Sequence, residues 1–145
     1  MSTPDSCRKL PGFKKIEFVV AEQAIIIQTG DRVELSAELQ EIPISDIFGV
    51  TIETRREKGV VLQELKTTCD AFNILGDLMR EALSNKNLIF VLTDIYNERY
   101  LVGGIEKPHP VVEVKFISPE TTASGRRNQI DITYRNEAAL LPIVS

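Results

Sequence analysis

The chain has 145 residues, a net charge of −4, an apolar fraction of 43% and a charged fraction of 26%. These proportions are ordinary for one globular domain, and a chain of this length buries roughly 70% of its unfolded surface without metal or disulfide staples. The acidic balance disfavours a phosphate-backbone binder, which carries a basic face. Residues 1–8 are polar and lack the apolar core of a secretory signal, so a soluble protein made in the cytoplasm is expected. The longest apolar runs, 24–27 and 88–92, are far too short to span a bilayer.

Residues 1–13 read as a loose N-terminal arm ending in the turn signal Leu10-Pro11-Gly12, and residues 14–145 as a single β-rich domain. Ile16, Phe18 and Val20 alternate with Lys15, Glu17 and Val19, the period of a half-buried strand. A short apolar run at 24–28 closes at Thr29-Gly30-Asp31, and Val33, Leu35, Ala37 and Leu39 then alternate with polar residues. That second segment fits a strand better than a short helix.

Residues 48–56 and 60–69 flank Glu57-Lys58-Gly59, with Gly59 supplying the positive φ of a short hairpin loop. Arms of this length reach roughly 30 Å at ~3.3 Å per residue, so the hairpin is expected to project past the body of the domain. Its tip carries Arg55, Arg56, Glu57, Lys58 and Gly59, with Val60, Val61 and Leu62 close behind. Two readings fit this tip: a solvated end whose charges discourage aggregation, or an arm that reaches a neighbouring subunit.

Asp70 has the character of an N-cap, and Phe72, Leu75, Met79, Ala82 and Leu83 recur at helical spacing, which predicts one central helix over about 70–84. Gly76 within it is expected to mark a close approach to a sheet. Leu88–Thr93 is a continuous apolar run, as in a strand covered on both faces. A turn at 94–98 leads into 99–102, stopped by Gly103-Gly104. Val112, Val114 and Phe116 alternate with Glu113 and Lys115, and after a Ser/Thr/Gly-rich loop Ile130, Ile132 and Tyr134 alternate with polar residues. The expected fold is mainly β, an eight-stranded barrel or sandwich with one helix.

Little in the chain points to chemistry. The one histidine, His109, stands between Pro108 and Pro110 and reads as a loop residue. Cys7 and Cys69 are unclustered; a disulfide between them stays open, but two such cysteines more often stand as free thiols in a reducing compartment. Gly103-Gly104 lacks the spacing and the following helix of a phosphate loop. Carboxylates such as Glu17 and Glu22 form no specific acid/base pair, and Arg126-Arg127 reads as a solvated loop. The expectation is a protein that is not an enzyme, with no catalytic residues, no cofactor and no metal.

Four local patterns, taken in order, carry a resemblance. They are Leu10-Pro11-Gly12-Phe13-Lys14-Lys15-Ile16-Glu17-Phe18; the hairpin Thr54-Arg55-Arg56-Glu57-Lys58-Gly59-Val60-Val61-Leu62-Gln63-Glu64-Leu65; Phe90-Val91-Leu92-Thr93-Asp94-Ile95-Tyr96-Asn97-Glu98-Arg99-Tyr100-Leu101-Val102-Gly103; and Ser124-Gly125-Arg126-Arg127-Asn128-Gln129-Ile130-Asp131-Ile132-Thr133-Tyr134. Together they resemble prophage-encoded virion proteins similar to phage tail-tube subunits. That group tends to have Asp-Arg-Asn-Gly at 126–129 and Asn-Gly at 97–98, so both turns depart from its pattern here.

The resemblance implies a small barrel or sandwich with a flanking helix, assembled as hexameric rings whose sheets join around a lumen and whose long hairpin contacts the adjacent ring. It implies a virion (tail) location after assembly, other tail proteins as partners, and no specific nucleic-acid or membrane binding. An acidic lumen would suit DNA that slides without sticking. The candidate assembly interface is then Arg55, Arg56, Glu57, Lys58, Gly59, Val60, Val61 and Leu62. Two other roles fit the same sequence: a neck, terminator or connector protein of the particle, and a monomeric domain that binds a peptide or small ligand through residues 103–110.

Overall fold

The structure, a computed structural model, describes residues 7–8, 11–44, 46–72, 87–106, 108–117 and 127–144. Its strands in chain order are β1 (Cys7–Arg8), β2 (Phe13–Val20), β3 (Ile25–Thr29), β4 (Arg32–Ser36), β5 (Gln40–Ile42), β6 (Val50–Glu57), β7 (Val60–Phe72), β8 (Leu88–Asp94), β9 (Arg99–Val102), β10 (Val111–Ile117), β11 (Arg127–Asn136) and β12 (Leu141–Pro142). A single 3-10 turn, Ala21–Gln23, joins β2 to β3. The strands form an outer sheet ordered β1-β6-β7-β11-β10, a central sheet ordered β12-β9-β8-β2-β5, and the separate hairpin β3-β4. All strand pairings within these sheets are antiparallel.

The central strand β8 organises the layers, because all of Leu88–Asp94 is buried. Successive side chains of a strand point to opposite faces. Leu88, Phe90 and Leu92 accordingly enter one apolar cluster, with Ile16, Phe18 and Ile42 of the central sheet and Ile52, Leu65, Cys69, Ile130, Ile132 and Tyr134 of the outer sheet. Ile89 and Val91 enter a second cluster with Val19, Val33 and Leu101, against which Ile26 and Leu35 of the β3–β4 hairpin pack. Two cores thus lie on the two faces of one sheet. The double coverage expected of residues 88–93 is what the structure shows.

Thr67 faces the core from β7 and its hydroxyl donates to the Gly49 carbonyl at 2.7 Å. One end of the sandwich is closed by Phe13, which stacks on Phe48 at 5.8 Å and meets Tyr100 edge-on at 5.9 Å. The main chains of Phe13 and Phe48 exchange two hydrogen bonds of 2.9 and 3.0 Å, tying the central sheet to the strand leading into β6. At the C-terminal end, the Val144 N–H donates to the Val33 carbonyl at 2.8 Å and pins β4 to the edge of the central sheet. β9 stops at Gly103, where φ is +108° and an added Cβ would lie 3.1 Å from both Ile89 and Pro110.

Several expectations are corrected. Neither five-stranded sheet closes into a barrel; the architecture is a sandwich with a third, two-stranded layer. Phe13, assigned from sequence to the arm, opens β2 and is fully buried. The strand expected through Leu39 ends at Ser36. The central helix expected over 70–84 does not begin at Asp70: Asp70, Ala71 and Phe72 complete β7, opposite Gln129, Asn128 and Arg127. Ala71 continues the inward alternation of Leu65, Thr67 and Cys69, and β11 offers backbone partners to the end of that alternation. A ladder of main-chain hydrogen bonds thereby overrides the capping preference of an aspartate. The remainder of that helix, with Gly76, lies outside the described residues, as does Arg126.

The two cores can be weighed separately. Ile89→Ala and Leu92→Ala each remove a fully buried aliphatic side chain, one on each face of β8. Each is expected to lower the unfolding free energy by about 2–5 kcal/mol in a denaturant titration. A loss under about 1 kcal/mol at Ile89 would show that the β3–β4 layer does not cover it.

Candidate functional site

The hairpin tip is built by register. β6 and β7 pair from Val50 opposite Thr67 to Glu57 opposite Val60. Lys58 (φ +50°) and Gly59 (φ +81°) form the turn. Positive φ at both central residues is the requirement of a type I′ turn, whose twist matches that of the flanking strands. The three-residue loop expected at Glu57-Lys58-Gly59 is therefore a two-residue one, with Glu57 inside β6.

Among the described residues, neither neighbour of the hairpin reaches its end: β11 ends at Asn136, opposite Gln63, and β1 pairs with Ile52 and Glu53. The pairs Arg55–Leu62, Arg56–Val61 and Glu57–Val60 have only each other among the described residues. Arg55, Arg56, Glu57, Lys58, Gly59, Val60 and Val61 are exposed, and Leu62 is half-buried. Register places Arg56 and Val61 on the face of the core residues Ile52 and Leu65, and Arg55, Glu57, Val60 and Leu62 on the opposite face. Polarity thus divides by arm: charge on β6, aliphatic surface on β7. Val60 and Val61 are each 48% exposed.

At the root of the tip sits Glu64, only 3% exposed. It lies between Glu53 on β6 and Arg135 on β11, its direct cross-strand partners. Arg135 donates its Nε–H to one carboxylate oxygen. The other oxygen has Arg55 Nη2 and Lys66 Nζ each at 3.4 Å but no directed hydrogen bond. Arg55 also reaches Glu53 at 3.3 Å. Burial pushes the Glu64 carboxyl up, but the hydrogen bond and charge of Arg135, with the charges of Arg55 and Lys66, outweigh it and hold the group below its usual range. The outer face continues this polar lattice: Asp131 accepts from Thr68 at 2.7 Å and lies 3.6 Å from Lys115, and its carboxyl is also held low, chiefly by the Thr68 hydrogen bond.

The other sequence candidates do not converge. His109 is a half-buried loop residue with Nε2 3.2 Å from the Ile105 carbonyl oxygen. Cys69 is a free thiol buried in the core, pushed up to about 12 by that burial and by the charges of Asp70 and Asp131. Among the described residues, no three His, Cys, Asp or Glu side chains are placed to share a metal ion. No described helix is long and apolar enough to cross a membrane. A groove of about 440 Å³ lies between the β3–β4 hairpin and Gly103, Gly104, Ile105 and Glu106, the loop considered for ligand binding.

The Asp94–Glu98 turn closes without a glycine. Asn97 itself takes the left-handed conformation (φ +68°). Buried Asp94 accepts from the N–H groups of Tyr96 and Glu98 at 2.8 and 2.9 Å. No glycine is needed there, since asparagine tolerates this region.

Sequence reading placed the tip but missed Glu64, because a glutamate in alternation with Gln63 and Leu65 looks like any outward strand residue. Comparison of the chain with protein-family models, curated proteins and solved structures finds no match in any of the three.

Arg135→Ala leaves the Glu64 carboxylate covered and short of its principal donor, and is expected to cost about 1–3 kcal/mol at neutral pH. Because Glu64 titrates below its unfolded value of 4.5, its stabilisation is present above that pH and is lost as pH falls through and beneath it. Denaturant titrations from pH 7 to 3 check both points. Glu64→Gln is expected to flatten the acid limb; an unchanged limb would show that Glu64 is not held low.

Proposed function

We propose that this protein is a structural subunit that works by contact between copies of itself and with neighbouring subunits, as part of a phage tail or tail-like particle. The observation that supports this most is the Arg55–Leu62 tip, which among the described residues has no strand beside it and carries exposed aliphatic side chains. A monomer gains nothing evident from exposing Val60 and Val61 at the start of β7, beside a two-residue turn. Docked on a second subunit, the tip would bury them and place Arg55, Arg56, Glu57 and Lys58 at the rim, where charge selects register and partner more than it adds affinity.

A hairpin with its turn and register already formed loses less ordering entropy on docking than a disordered segment would. Tail-tube assembly, with hexameric rings stacked through such hairpins, is the form of this role that the sequence resemblance favours. Catalysis has no part in the proposal; the buried polar groups of the site stabilise the root of the hairpin.

Replacing Arg56–Val61 by Asn-Gly closes a type I′ turn on the hydrogen-bonded pair Arg55–Leu62 and keeps every rung shared with β11. The shortened protein is expected to unfold cooperatively like the parent. In concentrated solution the parent should form rings, stacks or higher oligomers by light scattering and negative-stain microscopy, and the shortened variant should not. Assemblies of equal size and amount from both proteins would reject the hairpin as the contact.

A further inference from the structure

We infer that β10 is a self-complementary sheet edge that pairs antiparallel with β10 of a second copy, centred on Val114. This rests on the self-association part of the function proposed above but concerns a different surface. β10 ends the outer sheet, and among the described residues it pairs only with β11. It offers seven residues of ladder, and unpaired edges of that length template strand addition. Val111, on the outward face, is 61% exposed.

The strand reads apolar, apolar, Glu113, Val114, Lys115, apolar, apolar. An antiparallel pairing with Val114 opposite its own copy sets Glu113 opposite Lys115 twice, once on each side of the two-fold axis. Shifting the register by one in-phase step breaks this: centring on Glu113 opposes two glutamates, and centring on Lys115 opposes two lysines. An in-register parallel pairing opposes like charges at both positions. Directly opposed like charges destabilise a sheet, so one arrangement is selected.

The existing neighbour makes the same choice. Within the monomer Glu113 lies opposite Asp131, a like charge, and has no cation within ion-pair distance among the described residues. Lys115 already leans on Asp131 at 3.6 Å. The second copy would bring Lys115 to the open side of Glu113, giving that glutamate the opposite charge that Asp131 on its other side does not supply. The contact joins two outer sheets into one, and being isologous it closes after two copies. Extension beyond a pair falls to another surface, such as the hairpin tip. Two short strands bury less than a standard interface, so the pair is concentration-dependent.

The test is sedimentation equilibrium of the full chain at low salt over a wide concentration range. Glu113 and Lys115 are exposed, so Glu113→Lys and Lys115→Glu are expected to fold, checked by circular dichroism. Each single reversal opposes like charges at both positions and should weaken dimerisation by about tenfold or more. The double reversal should restore it, and so should an equimolar mixture of the two single variants, which can pair only with each other. A monomeric parent at every concentration, single reversals without effect, or no recovery in the double variant and the mixture would each overturn the proposal. If higher assemblies persist by microscopy while the reversals change nothing, β10 pairing is rejected and the subunit reading stands. If β10 pairs as described but the parent builds nothing larger, that reading fails instead.

Discussion

A strand whose side chains are apolar on both faces must be covered on both, and β8 imposes this constraint on the whole chain. Leu88, Phe90 and Leu92 require a layer on one side, Ile89 and Val91 a layer on the other. The outer sheet meets the first requirement with Ile52, Leu65, Ile130 and Ile132. The β3–β4 hairpin meets the second with Val33, Ile26 and Leu35. Once these are committed inward, the outward face of the outer sheet is left to alternating polar residues, and Glu64, Asp131, Lys66 and Arg135 knit its strands together. Such partly exposed ion pairs are individually weak; Glu64 differs because its own carboxylate is covered.

The same constraint explains where the chain is left open. The core is only as long as β8, so the β6–β7 ladder, which is longer, runs past it. Val61 sits on the core-facing side of a sheet that has no core left to cover it. β10 lies at the far edge of the outer sheet, and its inward residues Val112 and Val114 are only half-buried. The tip and the edge, which have no further strand beside them among the described residues, thus lie outside the reach of the buried strand.

Much of this was legible in the sequence because it follows from side-chain period. The unbroken run from Leu88 announced burial on both faces, the alternation of Ile130, Ile132 and Tyr134 announced an inward row, and Gly59 announced the hairpin. Local signals failed where tertiary pairing outweighed them. Asp70 has the chemistry of a helix cap, yet the ladder with β11 extends through Phe72. Strand order is not a local property, so neither the choice between sandwich and barrel nor the edge position of β10 could be read from the chain. The palindromic charge of Glu113 and Lys115 was visible throughout, but it acquires meaning only once that strand ends the outer sheet among the described residues. Glu64 escaped for a related reason: its cover comes from Arg55, Lys66 and Arg135, on three different strands.

The proposed mode of action, through contact surfaces displayed by a doubly cored sandwich, is tested most directly by hydrogen exchange read segment by segment on dilute and on concentrated protein. The expected result is that β8 exchanges slowly at both concentrations, while residues 54–62 and 111–117 exchange fast when dilute and become protected when concentrated. Exchange at the same rate in both segments at both concentrations would contradict the account.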